Sequence, residues 1–400
     1  MEPFKPVRSK ADFLVFGAPK LDEEDIKEVE AVMRSGWLGT GPRVAQFESD
    51  FARYRGADHA VALNSCTAAL HLSLLAAGVG PGDEVITTPL TFCATVNAII
   101  HAGATPVLAD IEPDTLNIDP VQVRAKLTSR TRAIVPVHFA GRPCEMDALM
   151  EIARKHDLKV IEDCAHAIET EYRGQSVGTI GDFGCFSFYV TKNIVTGEGG
   201  MVFARKAEDA SRIKILGLHG MSKDAWKRFS DDGYKHYAVV AAGFKYNMMD
   251  LQAAIGLRQL ERVEPYWKRR EAIWARYTTE LAGLALILPT PAAADTRHGY
   301  HLYSVQVDVA RCGMSRDDFL NAMTAEGIGV GVHYVALNEH PFYQDSYGWQ
   351  PDDTPHAQAV GRQTVSLPIS AKLTDQDVSD VISAVRRVLT RQAQAASTLA

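Results

Sequence analysis

The 400-residue sequence has no C-x-x-C pair among its six cysteines, Cys66, Cys93, Cys144, Cys164, Cys185 and Cys312. Thiols scattered through a chain of this length read as reduced side chains of a cytoplasmic protein. That pattern argues against a disulfide frame and against a zinc site, so no metal is expected. No apolar run of eighteen or more residues occurs; the stretch from Ala94 to Val107 is broken by Asn97, His101 and Thr105, so no membrane span is expected. The first ten residues carry Lys5, Arg8 and Lys10 without an apolar segment behind them, and no secretory leader is read there. Positive charge is not in excess. Lys and Arg number 42 against 49 Asp and Glu, a net charge of -7 with no long basic run, which gives no footprint for gripping a nucleic-acid backbone. No internal repeat is found.

What remains is ordinary globular composition, 46% apolar and 23% charged, long enough for two or three structural units. Short apolar runs alternate with helical patterns through the first 205 residues. Strands are expected at His59–Leu63, Glu84–Thr88, Thr105–Asp110, Ala133–Phe139, Leu158–Asp163, Phe183–Phe188 and Gly200–Ala204. Several are apolar without strict alternation, as strands covered on both faces should be. Helices such as Glu145–His156 fall between them, and the alternation predicts an α/β fold: a mostly parallel sheet of seven strands with helices on both faces. A polar, irregular stretch at Gly220–Gly243 follows. Helices then dominate from Asp250, with strands at His301–Val307 and Val365–Ile369 and a last helix capped by Thr374. These patterns divide the chain into a large domain over 12–248, a smaller C-terminal α/β domain over 249–391 and a small, polar tail over 392–400 expected to fray.

Three features of the first half carry chemistry together. Asn64-Ser65-Cys66-Thr67 follows a strand and opens a helix; such a turn presents N–H groups to a phosphate, although Ser and Thr are also ordinary helix caps. Glu162-Asp163 ends a strand, where α/β sheets line their ligand crevice; that carboxylate could hold a cationic ring nitrogen or cap the next helix. Lys192 lies between an apolar strand and the glycine-rich Thr196–Gly200. Sequestered there, it would lose solvation and favour the neutral amine that forms Schiff bases. A phosphate cradle, a carboxylate and a sheltered lysine are what a pyridoxal 5'-phosphate enzyme needs.

With these residues in view, the chain resembles the DegT/DnrJ/EryC1/StrS family of pyridoxal-phosphate-dependent nucleotide-sugar aminotransferases, from about Gly17 to Leu389. The most specific stretches are Ser35–Pro42, Ile161–Ala167 and Phe186–Gly200. Within the family, His219–Trp226, Gly243–Asn247 and Val332–Tyr334 are most similar to the branch that forms UDP-4-amino-4-deoxy-L-arabinose. The resemblance implies an aspartate-aminotransferase-like (type I) fold and a homodimer with shared active sites. It implies transfer of an amino group from L-glutamate, released as 2-oxoglutarate, to a UDP-4-keto sugar. A dTDP-linked 3-keto sugar and a non-catalytic member of the fold are the alternatives.

Carried over residue by residue, the resemblance makes Lys192 the Schiff-base lysine and proton carrier, and Asp163 the partner of the pyridinium nitrogen. Phe92 stacks on the ring, His166 sits by the ring hydroxyl, and Ser65, Cys66, Thr67 and Ser187 hold the phosphate. Lys245 and Asn247 reach the cofactor phosphate of the neighbouring subunit, and Trp37, Thr40, Lys20 and His333 line the sugar site. Cys66 and Lys245 stand where many relatives carry glycine and asparagine. A family dehydratase would carry histidine in place of Lys192, and a cysteine desulfurase needs a mobile cysteine, which none of these resembles.

Overall fold

The computed structural model describes residues 5–222 and 237–399, with side chains described through Arg391. Seven strands form the large sheet: β1 Ala60–Leu63, β2 Glu84–Thr87, β3 Thr105–Leu108, β4 Thr131–Val135, β5 Lys159–Asp163, β6 Phe183–Ser187 and β7 Gly200–Ala204. Their spatial order is β1-β7-β6-β5-β4-β2-β3. Strands β2 to β6 run parallel, and β7 is antiparallel to both neighbours. All seven fall within the expected runs except β4, which starts two residues early and stops at Val135.

Helices cover both faces, which is why the central strands are apolar on both sides. On one face lie α1 Glu23–Ser35 and, packed directly on the strands, α2 Pro42–Arg55. On the other, α3 Cys66–Ala76 and α4 Cys93–His101 pack Leu70, Leu72, Ala98 and Ile99 against Val61, Val85 and Val135. The α2 face is the more aromatic: Phe47 and Phe51 meet Phe186, Phe188 and Phe203 of the sheet, with Phe51 edge-on to Phe186 and Phe188 at 5.1 and 5.4 Å. Further along, α5 Met146–His156 adds Leu149 and Ile152 to that core, and α6 Ala207–Leu216 adds Ile213 to the opposite one.

The second half departs from expectation in one respect. Helix α7, Asp250–Glu261, expected to open the small domain, buries Ala253 and Leu257 in the core of the large sheet. The separate core of the small unit begins in α8, Val263–Glu280, with Ile273, Trp274 and Tyr277. Those side chains pack on an antiparallel sheet of β8 Leu286–Ile287, β9 Tyr303–Val307 and β10 Thr364–Leu367. A last helix runs Asp375–Leu399, and Thr374 and Asp377 exchange hydrogen bonds at its start as the sequence suggests. The tail expected at 392–400 falls among residues whose side chains lie outside those described. Among the described residues no helix is long and apolar enough to cross a membrane.

Truncating Phe51 to Ala removes the ring that joins α2 to three strand aromatics, and should lower unfolding free energy by about 3–5 kcal/mol. Urea titration checks this; a loss below about 1 kcal/mol would show that α2 is not fixed by this cluster.

Candidate active site

Strand alternation sends Glu162 and Asp163 to opposite faces of the sheet. Glu162 is wholly buried and accepts from the backbone N–H groups of Gly178, Ile180 and Gly181 at 2.8, 2.9 and 2.6 Å. Its fourth partner is His138 Nε2 at 3.0 Å; His138 Nδ1 accepts from Cys144 N–H, so Nε2 carries the proton. His138, Glu162 and Cys164 form the one cluster of potential metal ligands among the described residues, and its carboxylate is saturated by these bonds. It anchors a turn.

Asp163 faces the other way, into a cavity of about 610 Å³ at the carboxyl ends of β5 and β6. Its Oδ1 accepts from Ala165 N–H at 3.1 Å and its Oδ2 from Thr95 Oγ1 at 2.8 Å. One oxygen of this carboxylate thus caps the following turn, while the residue also lines the crevice. Burial pushes the Asp163 carboxyl up, against the stabilising pull of Ala165, Thr95 and the Lys192 charge.

Lys192 sits in the connection from β6 to β7, its N–H bonded to Tyr189 O at 2.8 Å. Burial lowers its ammonium to about 8 from 10.5, despite the opposing pull of Cys66 and Asp163. The next residue is clamped. Asn193 Nδ2 donates to Glu169 Oε2 at 2.7 Å and to Gly299 O at 3.0 Å, and its Oδ1 meets His301 Nδ1 at 2.9 Å. Glu169 in turn pairs with Arg270 of α8, both buried.

The third wall is the start of α3. Ser65 Oγ caps the helix by accepting from Ala68 N–H at 3.1 Å. As the first helical residues, Cys66 and Thr67 have N–H groups without intrahelical partners, and both line the cavity. The Cys66 thiol turns inward to Cys185 O at 3.5 Å, and burial pushes it well up, so its backbone is what remains for a ligand. Gly200 makes this turn possible: a Cβ there would lie 2.4 Å from the Ser65 carbonyl carbon and 2.6 Å from Cys66 N.

Of the residues expected from sequence, Lys192, Asp163, His166, Ser187, Ser65, Cys66, Thr67, Phe92 and His333 line this one cavity. Phe92 is 60% exposed at its wall. The others stand apart. Trp37, Thr40 and Asn247 line a second cavity of about 450 Å³, where Asn247 Nδ2 donates to Thr40 Oγ1 at 2.6 Å. Lys245 is exposed on the segment that pairs with Asn64 beside β1. Lys20 lies 5.2 Å over the Tyr266 ring, in a crevice that Lys192 also borders. Of the Gly220–Gly243 stretch, residues 223–236 lie outside those described. Sequence reasoning missed Thr95, Tyr334 and His301. Thr95 and Tyr334 line the cavity and His301 packs on His166; Tyr334 falls in the Val332–Tyr334 segment of the resemblance, but nothing local assigns any of the three a role.

A half-buried amine, a buried carboxylate and free amide N–H groups around one chamber suit a phosphorylated aldehyde cofactor. The comparisons agree. Residues 19–386 match the DegT/DnrJ/EryC1/StrS aminotransferase family. The chain belongs to that family. It is 49% identical, over 96% of its length and 99% of the relative's, to the spore coat polysaccharide biosynthesis protein SpsC of Bacillus subtilis (strain 168). The PLP-form structure of a putative sugar aminotransferase, Spr1654 from Streptococcus pneumoniae, superposes with a TM-score of 0.88 at 32% identity, covering 95% of this chain and 99% of that one. Helicobacter pylori PseC, an aminotransferase involved in the biosynthesis of pseudoaminic acid, gives 0.87 at 29% identity over 95% and 100%.

This family member is thus a pyridoxal-phosphate-dependent sugar aminotransferase with the type I fold, and its residues fit the cofactor. The uncapped N–H groups of α3 and Ser187 suit the phosphate, Asp163 suits a ring cation, and Lys192 offers an amine already inclined to be neutral.

In cofactor-free protein, burial disfavours the Lys192 cation, so its neutral fraction should reach half near pH 8 rather than 10.5. Acylation of Lys192 followed against pH by peptide mass spectrometry checks this. A midpoint at or above 10.5 would mean the amine is solvated.

Proposed function

We propose that the chain transfers the amino group of L-glutamate to a UDP-linked 4-keto sugar, yielding 2-oxoglutarate and a 4-amino-4-deoxy sugar, in the cytoplasm. The observation that carries this reading is the meeting of Lys192, Asp163 and the α3 N-terminus in one chamber. When bound, the cofactor supplies a carbonyl carbon that accepts an amino group and a ring that takes up electron density.

The chain's residues do the rest. Lys192 Nζ would hold the cofactor through its aldehyde carbon, and as a neutral amine it would take the α-proton of glutamate and later deliver a proton to the sugar carbon that receives nitrogen. Asp163 holds the ring nitrogen in its cationic form, and the Thr95 and Ala165 bonds fix the carboxylate for that task. Ser65, Cys66 and Thr67 bind the phosphate with Ser187, and Phe92 and His166 flank the ring. His333 belongs to the sugar side, with Trp37, Thr40 and Lys20.

The active unit is a homodimer with two shared sites. Within one chain Lys245 reaches nothing in the chamber, and Trp37, Leu38 and Met249 expose 52, 45 and 43% of their surface. A second copy laid on this face would cover these side chains and bring Lys245 and Asn247 to its chamber. A lysine there serves a phosphate as a point charge. The 4-keto, UDP-linked substrate rests on the segments Gly243–Asn247 and Val332–Tyr334. SpsC and PseC, named for polysaccharide and pseudoaminic acid biosynthesis, support a sugar acceptor.

Mass spectrometry of products from UDP- and dTDP-linked 4-keto and 3-keto sugars, with nitrogen-labelled glutamate, tests the reading. The label should enter the UDP-4-keto sugar fastest, and preferential labelling of a dTDP-3-keto sugar would overturn the assignment. Lys192→Ala should cut turnover by about 10²–10⁴-fold or more, since it removes both anchor and base.

A further inference from the structure

His166 has both ring nitrogens engaged. Ala140 N–H donates to Nδ1 at 3.3 Å, so in the neutral ring the proton resides on Nε2. Nε2–H then donates to the Tyr334 hydroxyl at 3.1 Å. A phenol oxygen that accepts this bond keeps its own proton to give, and among the described residues no other hydrogen-bond partner meets it. Both side chains border the chamber that holds Lys192 and Asp163.

The surroundings keep the polarity of this pair from reversing. His166 packs on His301 at 4.5 Å between ring centroids, and His301 is tied through Asn193 to the buried Glu169–Arg270 pair. Burial, reinforced by Lys192 and His301, pushes the His166 imidazolium well down, which leaves the ring neutral. Phe139 closes on both rings, with centroids 6.1 and 6.3 Å away.

We propose that Tyr334 Oη–H is a hydrogen-bond donor to a charged or carbonyl oxygen of the molecules bound in the chamber, with His166 as the positioning residue that aims it. The inference rests on the pyridoxal-phosphate reading above. His166 cannot itself offer a proton to a ligand while Ala140 and Tyr334 hold its two nitrogens, so its influence on the chamber passes through the phenol. The accepting oxygen belongs either to the cofactor ring or to the substrate, and the chemistry of donation is the same.

Tyr334→Phe removes the donor and keeps the ring. Compared with wild-type holoenzyme, the variant should show one of two changes. If the acceptor is a cofactor oxygen, the absorbance maximum of the lysine-bound cofactor moves and its Kd rises about tenfold; if it is a substrate oxygen, the spectrum stays and KM or kcat changes by about tenfold. Spectrum, Kd, KM and kcat all within about twofold of wild type would overturn the donor role. His166→Asn should reproduce the Tyr334→Phe change, and the double variant should add nothing to it. Fully additive effects would overturn the aiming by His166. Wild-type protein that takes up no pyridoxal phosphate would overturn the functional reading and this inference together, whereas cofactor uptake by wild type with a silent Tyr334→Phe removes the donor role alone.

Discussion

A half-buried amine beside a buried carboxylate is the constraint on which the rest of this structure depends. A lysine cation in a low-dielectric enclosure is costly, and the protein offsets the cost only in part through Asp163. The result is an amine near its titration midpoint at physiological pH and a carboxyl that gains from any cation placed beside it. The sheet makes this possible, because the ends of β5 and β6 deliver the two side chains to one crease while helices on both faces exclude solvent.

The enclosure is completed by the second unit. Arg270 of α8 meets Glu169, Gly299 and His301 meet Asn193, and Tyr334 meets His166, so these four contacts beside the chamber join the second half of the chain to the first. A buried ion pair of this kind contributes little net stability over an apolar pair, but breaking it is expensive. Its effect is to fix the residue after Lys192, and hence the direction from which the amine enters the chamber. The Gly200 contact does the same for the opposite wall, where only a missing side chain lets β7 lie against the Ser65–Cys66 turn.

Much of this was legible in the order of residues. The strands announce themselves as apolar runs; Asp163 stands at a strand end, where a parallel sheet places ligands, and Lys192 stands in the connection that follows the next strand. The turn at Ser65 raised a choice between cap and cradle; the hydroxyl caps the helix, and the Cys66 and Thr67 amides face the chamber without intrahelical partners. What could not be read is non-local. Thr95 looks like one more helix residue until β5 brings Asp163 to it, and Tyr334 acquires meaning only through His166, far away in the chain. Helix α7 follows the large core because Ala253 and Leu257 find partners there, which periodicity alone cannot say. Trp37, Thr40, Lys245 and Asn247 lie outside the chamber of their own chain, a placement that no pattern in the sequence marks.

The account stands on the identity of one nitrogen. Borohydride reduction of the yellow holoenzyme, followed by peptide mapping, locates the side chain that carries the cofactor. The account predicts a single modified residue, Lys192, with no label on Lys20 or Lys245. A stable label on any other lysine, with Lys192 recovered unmodified, would contradict it.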